Sequence, residues 1–210
     1  MGADDESDIG LLNTIKRLLR CDSRILRSRG AAWFCFASEV LYERLRRLGK
    51  RGKFDFNVWP SPPQEYVKDF IRGYVDADGY VGILPTVTRR KLKSGGVNEH
   101  TYNVLNFKVG SPDRPFVERV YSELVSSLPI PPRKLTCYRK TEGKARDSYG
   151  FVYTYEPARV ILNWLYYPGC LCLGRKGRVA ETAYRDWETD RKSTRLNSSH
   201  RSLSRMPSSA

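Results

Sequence analysis

Apolar residues recur at helical spacing up to Gly49, switch to alternation after Gly79, and return to helical spacing twice more before Trp187. In DIGLLNTIKRLLR, residues 8–20, Leu11, Leu12, Ile15, Leu18 and Leu19 share one face behind Asp8 as N-cap, which predicts an amphipathic helix. AWFCF at 32–36 reads as a short strand. Ser38 then opens a second helix in which Val40, Leu41, Leu45 and Leu48 face inward and Gly49 is the stop. Arg44, Arg46, Arg47, Lys50, Arg51 and Lys53 read as its solvated basic face. The prolines of WPSPPQ, from Trp59, cannot continue a helix or a central strand, because proline has no N–H to donate, but Pro63 suits a first helical position. From there Val67, Phe70, Ile71 and Tyr74 mark a third helix, which Gly79 ends with its conformational freedom.

Two alternating segments follow, YVGILPTVTRR at 80–90 and TYNVLNFKVG at 101–110, joined by a polar, glycine-containing loop. Residues 113–128 return to helix, with Phe116, Val117, Val120, Tyr121 and Leu124 apolar. A second strand pair, 133–140 and 148–155, leads into a helix over 157–167 and a basic helix over 173–187. This order, helix-strand-strand-helix-strand-strand-helix from residue 63, predicts a mixed α+β domain whose antiparallel sheet carries helices on one face and leaves the other open. Parity then assigns the faces. Leu105, Phe107, Val109, Leu135 and Cys137 point inward; Tyr102, Asn106, Lys108, Lys134, Thr136, Tyr138 and Lys140 point outward.

Charge gives that outer face a meaning beyond solvation. The chain carries a net +14, a balance that calls for a polyanion, and Asn and Lys side chains on a two-stranded ribbon suit bases and phosphates of a nucleic-acid groove. Alternation alone leaves a merely solvated polar face open as the other reading. No apolar run approaches the roughly 18 residues a membrane helix needs, and the acidic start MGADDESDIG is unlike a secretory signal. An intracellular protein with no membrane partner is the expectation. Five cysteines without C-x-x-C spacing and only two histidines do not build a zinc site and read as idle thiols. DRKSTRLNSSH from Asp190 and the closing SRMPSSA are similar to a translated sequencing adapter, so residues 190–210 are expected to be an artefactual, disordered tail. Without them residues 1–189 keep +10, and the charge argument stands.

The third helix ends in an unexpected way. A helix C-terminus carries partial negative charge, so an acid in the last turn costs about 0.3–1 kcal/mol where Lys or Arg would stabilise. Yet Asp76 and Asp78 both lie there. Two readings fit that spacing: a simple Asp-Gly turn, or carboxylate and carbonyl oxygens gathered for a hard divalent ion such as Mg²⁺.

The nonapeptide IRGYVDADG, Ile71 to Gly79, resembles the signature of the LAGLIDADG homing endonucleases, differing at Ile71, Arg72, Tyr74 and Val75. The αββαββα order resembles that family's repeat. The resemblance implies a saddle-shaped antiparallel sheet over double-stranded DNA and Mg²⁺-dependent hydrolysis of DNA phosphodiesters at a specific site, as in intron- or intein-encoded mobile elements. It further implies that two motif helices pack side by side, each delivering one aspartate. Carried over, Asp78 is catalytic and a metal ligand together with the Ala77 carbonyl. Gly73, Asp76 and Gly79 serve the helix interface and its end. Lys176, in the LGRK segment, is the cation at the scissile phosphate, with Lys134 in reserve, and Ser111 is a weaker match to a water-orienting residue. Arg90, Tyr102, Asn106, Lys108, Lys134, Thr136, Tyr138 and Lys140 form the DNA face. Residues 1–59 resemble the closing part of a first repeat whose motif helix is missing, and 60–189 a complete second repeat. With one of two motifs, the chain is expected to cut weakly or not at all by itself. The same fold also serves catalytically inactive DNA-binding regulators and RNA maturases, and both stay open as alternatives.

Overall fold

The computed structural model describes residues 6–28, 31–48, 59, 61–91, 97–139, 147–183 and 185. The expectations for 190–210, and for Lys140, Lys50, Arg51 and Lys53, fall outside them.

Helix α1 (Glu6–Leu18) leads to a short antiparallel pair, β1 (Leu26–Ser28) and β2 (Ala31–Trp33), and to α2 (Glu39–Arg47). Ser38 caps α2 as expected, its hydroxyl accepting from the Leu41 amide at 3.2 Å. Asp8 is no N-cap: it lies inside the first turn of α1 and is buried. AWFCF contributes only its opening residues to β2, and β1 was not visible in the sequence pattern because three residues are too few to show alternation. The expected inward face of α2 is open among the described residues: none of its residues is buried, and Val40 is 65% exposed.

After a single 3₁₀ turn (Gln64–Tyr66) comes α3 (Val67–Asp78), then β3 (Tyr80–Lys91), β4 (Val97–Ser111), α4 (Arg114–Ser127), β5 (Thr136–Tyr138), β6 (Ser148–Thr154) and α5 (Tyr155–Leu165). A further helix, α6, occupies 174–183. The four strands form one antiparallel sheet in the order β3-β4-β6-β5. The expected order of elements from residue 63 is therefore observed.

Parity correctly places the sheet's buried face. Phe107 pairs with Tyr153 and Val109 with Phe151, and all four side chains are buried. Beneath them Val67, Ile71 and Val75 of α3, Val117, Val120 and Leu124 of α4, and Ala158, Ile161, Leu162 and Leu165 of α5 complete one core. Asp113 starts α4 by accepting from the Phe116 amide at 3.2 Å. Trp59 bridges α3 and α4 through Phe70 and Phe116, with ring centroids 5.0 and 5.6 Å away. Leu135 packs on this core, but Cys137 is exposed, because β5 is a three-residue edge strand without a buried position.

Strands β3 and β4 are paired from Tyr80 and Lys108 out to Lys91 and Val97, while β6 pairs with β4 only over residues 106–111. The far half of the hairpin therefore stands out from the sheet as a two-stranded ribbon. Among the described residues no helix is long and apolar enough to cross a membrane.

Phe107 is fully buried at the centre of this arrangement. Phe107→Ala is expected to lower stability by about 3–5 kcal/mol in urea unfolding; a loss below 1 kcal/mol would move the core elsewhere.

Candidate metal and nucleic-acid site at the end of α3

The last carbonyls of a helix have no partner within it. At the end of α3 the ammonium of Lys176, reaching from the first turn of α6, supplies one. Its Nζ donates to the carbonyls of Val75, Asp76 (3.0 Å) and Gly79 (2.8 Å), and the side chain is buried. All three ammonium donors are thus engaged. Burial, and Arg175 beside it, pull this ammonium down from the usual lysine range, while Asp76, Asp78 and Asp8 hold it up. Lys176 therefore caps the helix and is held there as a fixed cation.

Asp76 points into the same layer. Its Oδ1 accepts from the Tyr166 hydroxyl at 2.8 Å and its Oδ2 from the Leu173 amide at 3.0 Å. Burial pushes its carboxyl above the ordinary aspartate range, against the pull of those hydrogen bonds, Lys176 and Arg72. Arg72, where the sequence departs from the nonapeptide, is also buried. Its Nε donates to the Leu171 carbonyl at 3.0 Å, and its Nη1 to the Leu165 carbonyl at 3.1 Å and to Asp69 at 2.6 Å. Tyr167 adds a 2.8 Å bond to the same Asp69 oxygen. Arg72 thus caps the end of α5 from α3, while Lys176 caps the end of α3 from α6. Sequence reading missed this pair of caps; the visible signal was a charged residue in an otherwise apolar stretch of the motif.

Gly79 closes α3 in an extended conformation, φ −80°, open to any residue. Glycine is needed there because of space: a Cβ would lie 2.8 Å from both the Cα and the carbonyl oxygen of Val75. Gly73 is different. A Cβ there would meet nothing within 4 Å, and both Gly73 and Ala77 are exposed, so this face of α3 has no helix packed on it among the described residues.

Asp78 is exposed and lines an open cleft of about 620 Å³ with Tyr80, Lys108, Gly110, Ser111, Pro112, Tyr138 and Ser148. Lys108 lies over the Tyr138 ring, 4.8 Å from its centroid. The Ser111 hydroxyl accepts from the Asp113 amide at 3.1 Å. The structure thus brings Asp78, Lys108, Ser111 and Tyr138 together, and Tyr80 and Ser148 join them unforeseen.

The remaining residues of the expected DNA face are spread out. Tyr102 stacks between His100 and Tyr155, with centroids 6.0 and 6.5 Å away, and Asn106 donates to the Val104 carbonyl at 2.8 Å. Arg90 lies in β3 opposite Asn98. Lys134 and Thr136 line a separate cleft of about 500 Å³ with Pro131, Pro132, Arg133 and Val152. His100 lies in the segment whose pattern predicts a loop, and Tyr155 at the end of an expected strand.

No family model and no curated protein matches the chain. Among solved structures it is similar to the I-LtrWI LAGLIDADG homing endonuclease bound to target DNA. The TM-score is 0.50 at 11% identity, over 91% of this chain and 78% of that one. The fold is that of the LAGLIDADG homing endonucleases. A double mutant of I-SmaMI is also similar, with TM-score 0.47 and 12% identity over 98% of this chain and 86% of the other.

Two outcomes test the caps. Lys176→Met removes the ammonium from the Asp76 and Gly79 carbonyls, while the Val75 carbonyl keeps its bond from the Gly79 amide. It is expected to cost about 2–4 kcal/mol in urea unfolding; unchanged stability would show that the cap contributes nothing. For Asp69, burial raises the carboxyl, but the bonds from Tyr167 and Arg72 outweigh it and the net shift is downward from 3.8. A depressed carboxyl stabilises the fold above its unfolded value and loses that contribution as the pH falls through the folded one. The stability gap between the natural chain and Asp69→Asn is accordingly expected to be full above about pH 5 and to close in stronger acid. A gap that does not change with pH would contradict it.

Proposed function

We propose that this chain carries one catalytic half of a metal-dependent, site-specific DNA endonuclease. The observation that carries the reading is the division of labour between Asp76 and Asp78: the first is buried and fully hydrogen-bonded, while the second stands exposed in a cleft beside Lys108. An acid at a helix C-terminus, where it is electrostatically disfavoured, is well explained by a cation that sits against it.

The donor set fits a hard ion such as Mg²⁺, which keeps several waters and takes one or two carboxylates. Asp78 offers a carboxylate and Ala77 its carbonyl, and Lys176 already occupies the carbonyls of Val75, Asp76 and Gly79. When bound, such an ion polarises a phosphodiester oxygen and lowers the pKa of a water.

The chain's own residues have separate tasks. Lys108, held over Tyr138, neutralises a phosphate at the mouth of the cleft, and Ser111 offers a hydroxyl oxygen to a nucleophilic water. The open face of the β3–β4 ribbon, with Tyr102 and Asn106, lies along the duplex, and Lys134, Thr136 and Tyr138 extend the contact at the other edge. A second motif helix belongs on the open Gly73 and Ala77 face, supplied in the parent protein by the first half of a preceding repeat. The order α1-β1-β2-α2 repeats that of α4-β5-β6-α5, which supports reading residues 6–47 as part of another repeat.

In a supercoiled-plasmid assay with Mg²⁺, this chain is expected to nick slowly, and Asp78→Asn to abolish nicking while duplex binding persists. Fast double-strand cutting by the chain alone would contradict the half-site, and nicking by the Asp78→Asn variant would remove Asp78 from its role. Lys108→Ala should weaken duplex binding across sequences and lower the salt slope by about 1. An unchanged slope would place Lys108 off the phosphates.

A further inference from the structure

The connection between α5 and α6 holds α3 in place, and two cysteines sit on it. Its Leu171 carbonyl binds Arg72, its Leu173 amide binds Asp76, and the Leu173 carbonyl accepts from the Lys176 and Gly177 amides at 3.0 and 2.9 Å, which starts α6. Cys170 and Cys172 flank Leu171. Both are half-buried, and both line a cleft of about 590 Å³ at the junction of α5 and α6. Cys172 is seated against Gly177, where an added Cβ would stand 3.1 Å from its sulfur. The other three cysteines, Cys21, Cys35 and Cys137, are on other elements.

We propose that Cys170 and Cys172 are a reversible dithiol–disulfide site that reacts with small-molecule disulfides such as oxidised glutathione, and that its closure loosens the end of α3. The Cys170 thiolate attacks one sulfur of the external disulfide and expels a thiolate, which takes up a proton. Cys172 then gives up its proton and attacks the mixed disulfide, expelling the second thiol. Two protein thiols become one disulfide while one external disulfide becomes two thiols, so electrons and protons balance. Burial pushes the Cys172 thiol up to about 12, which leaves Cys170 as the first nucleophile.

The coupling to α3 is geometric. A disulfide draws the sulfurs to about 2.05 Å with a dihedral near 90°. Across a single intervening residue, that closure must turn the Leu171 peptide, whose carbonyl holds Arg72.

The whole reduced chain, incubated in glutathione buffers of rising oxidised fraction, is read by intact mass, peptide mapping and hydrogen exchange. The expected result is loss of two hydrogens mapped to the peptide holding Cys170 and Cys172, reversed by dithiothreitol. Exchange should rise at residues 75–79 and 173–177 in the oxidised form. Cys172→Ser is expected to stop at a single glutathione adduct on Cys170. Glutathione adducts without the internal bond in the natural chain, or an internal bond with unchanged exchange at those residues, would overturn the proposal. None of these readouts involves DNA cleavage, so the site stands or falls apart from the proposed activity.

Discussion

A buried ammonium at the end of one helix organises the site. Carbonyls at a helix C-terminus need donors, and burying them without any costs more than a hydrogen bond normally contributes. Lys176 meets that need from the start of α6 with three bonds, and Arg72 meets the matching need of α5 from within α3. Each cap lies about a hundred residues from its partner in sequence, so the two together tie the motif helix to the far end of the domain. Asp76 adds the anionic counterpart, bonded to Tyr166 and to the Leu173 amide.

With that end fixed, helical geometry separates the two acids. Residues two apart on an α-helix lie about 200° from each other round its axis. Once Asp76 turns into the capped layer, Asp78 must face out toward the cleft with Lys108 and Tyr138. The acid at the helix end is thereby left available in the cleft. The fold is shared with homing endonucleases, but a shared fold does not by itself carry an activity. The activity proposed here depends on that one exposed carboxylate and the basic, aromatic surface around it.

Alternation in the sequence was enough to order the elements after residue 63 and to turn Phe107 and Val109 inward, because a long central strand covered by helices has a strong period of two. It failed at Cys137, since an edge strand of three residues without a helix over it imposes no inward face. It failed also for α2, whose apolar face is periodic yet uncovered among the described residues. Lys176 was found by motif, but its bonds to α3 were not. A lysine in a basic segment reads the same whether it meets a phosphate or a set of backbone carbonyls, and only the fold brings residues 75 and 176 together. Arg72 was noticed solely as a departure from a motif. Ser148 had no local signal, being brought to Asp78 by strand register, and Tyr80 simply follows Asp78 two residues on.

The most direct measurement is an NMR titration of the chain with Mn²⁺, a paramagnetic substitute for Mg²⁺, read residue by residue through amide line broadening. Broadening should centre on residues 77–80, spread weakly to 110–111, and vanish in Asp78→Asn while the rest of the spectrum stays intact. Broadening that centres elsewhere, or that survives the loss of the Asp78 carboxylate, would contradict the claim that the exposed acid at the end of α3 holds the ion.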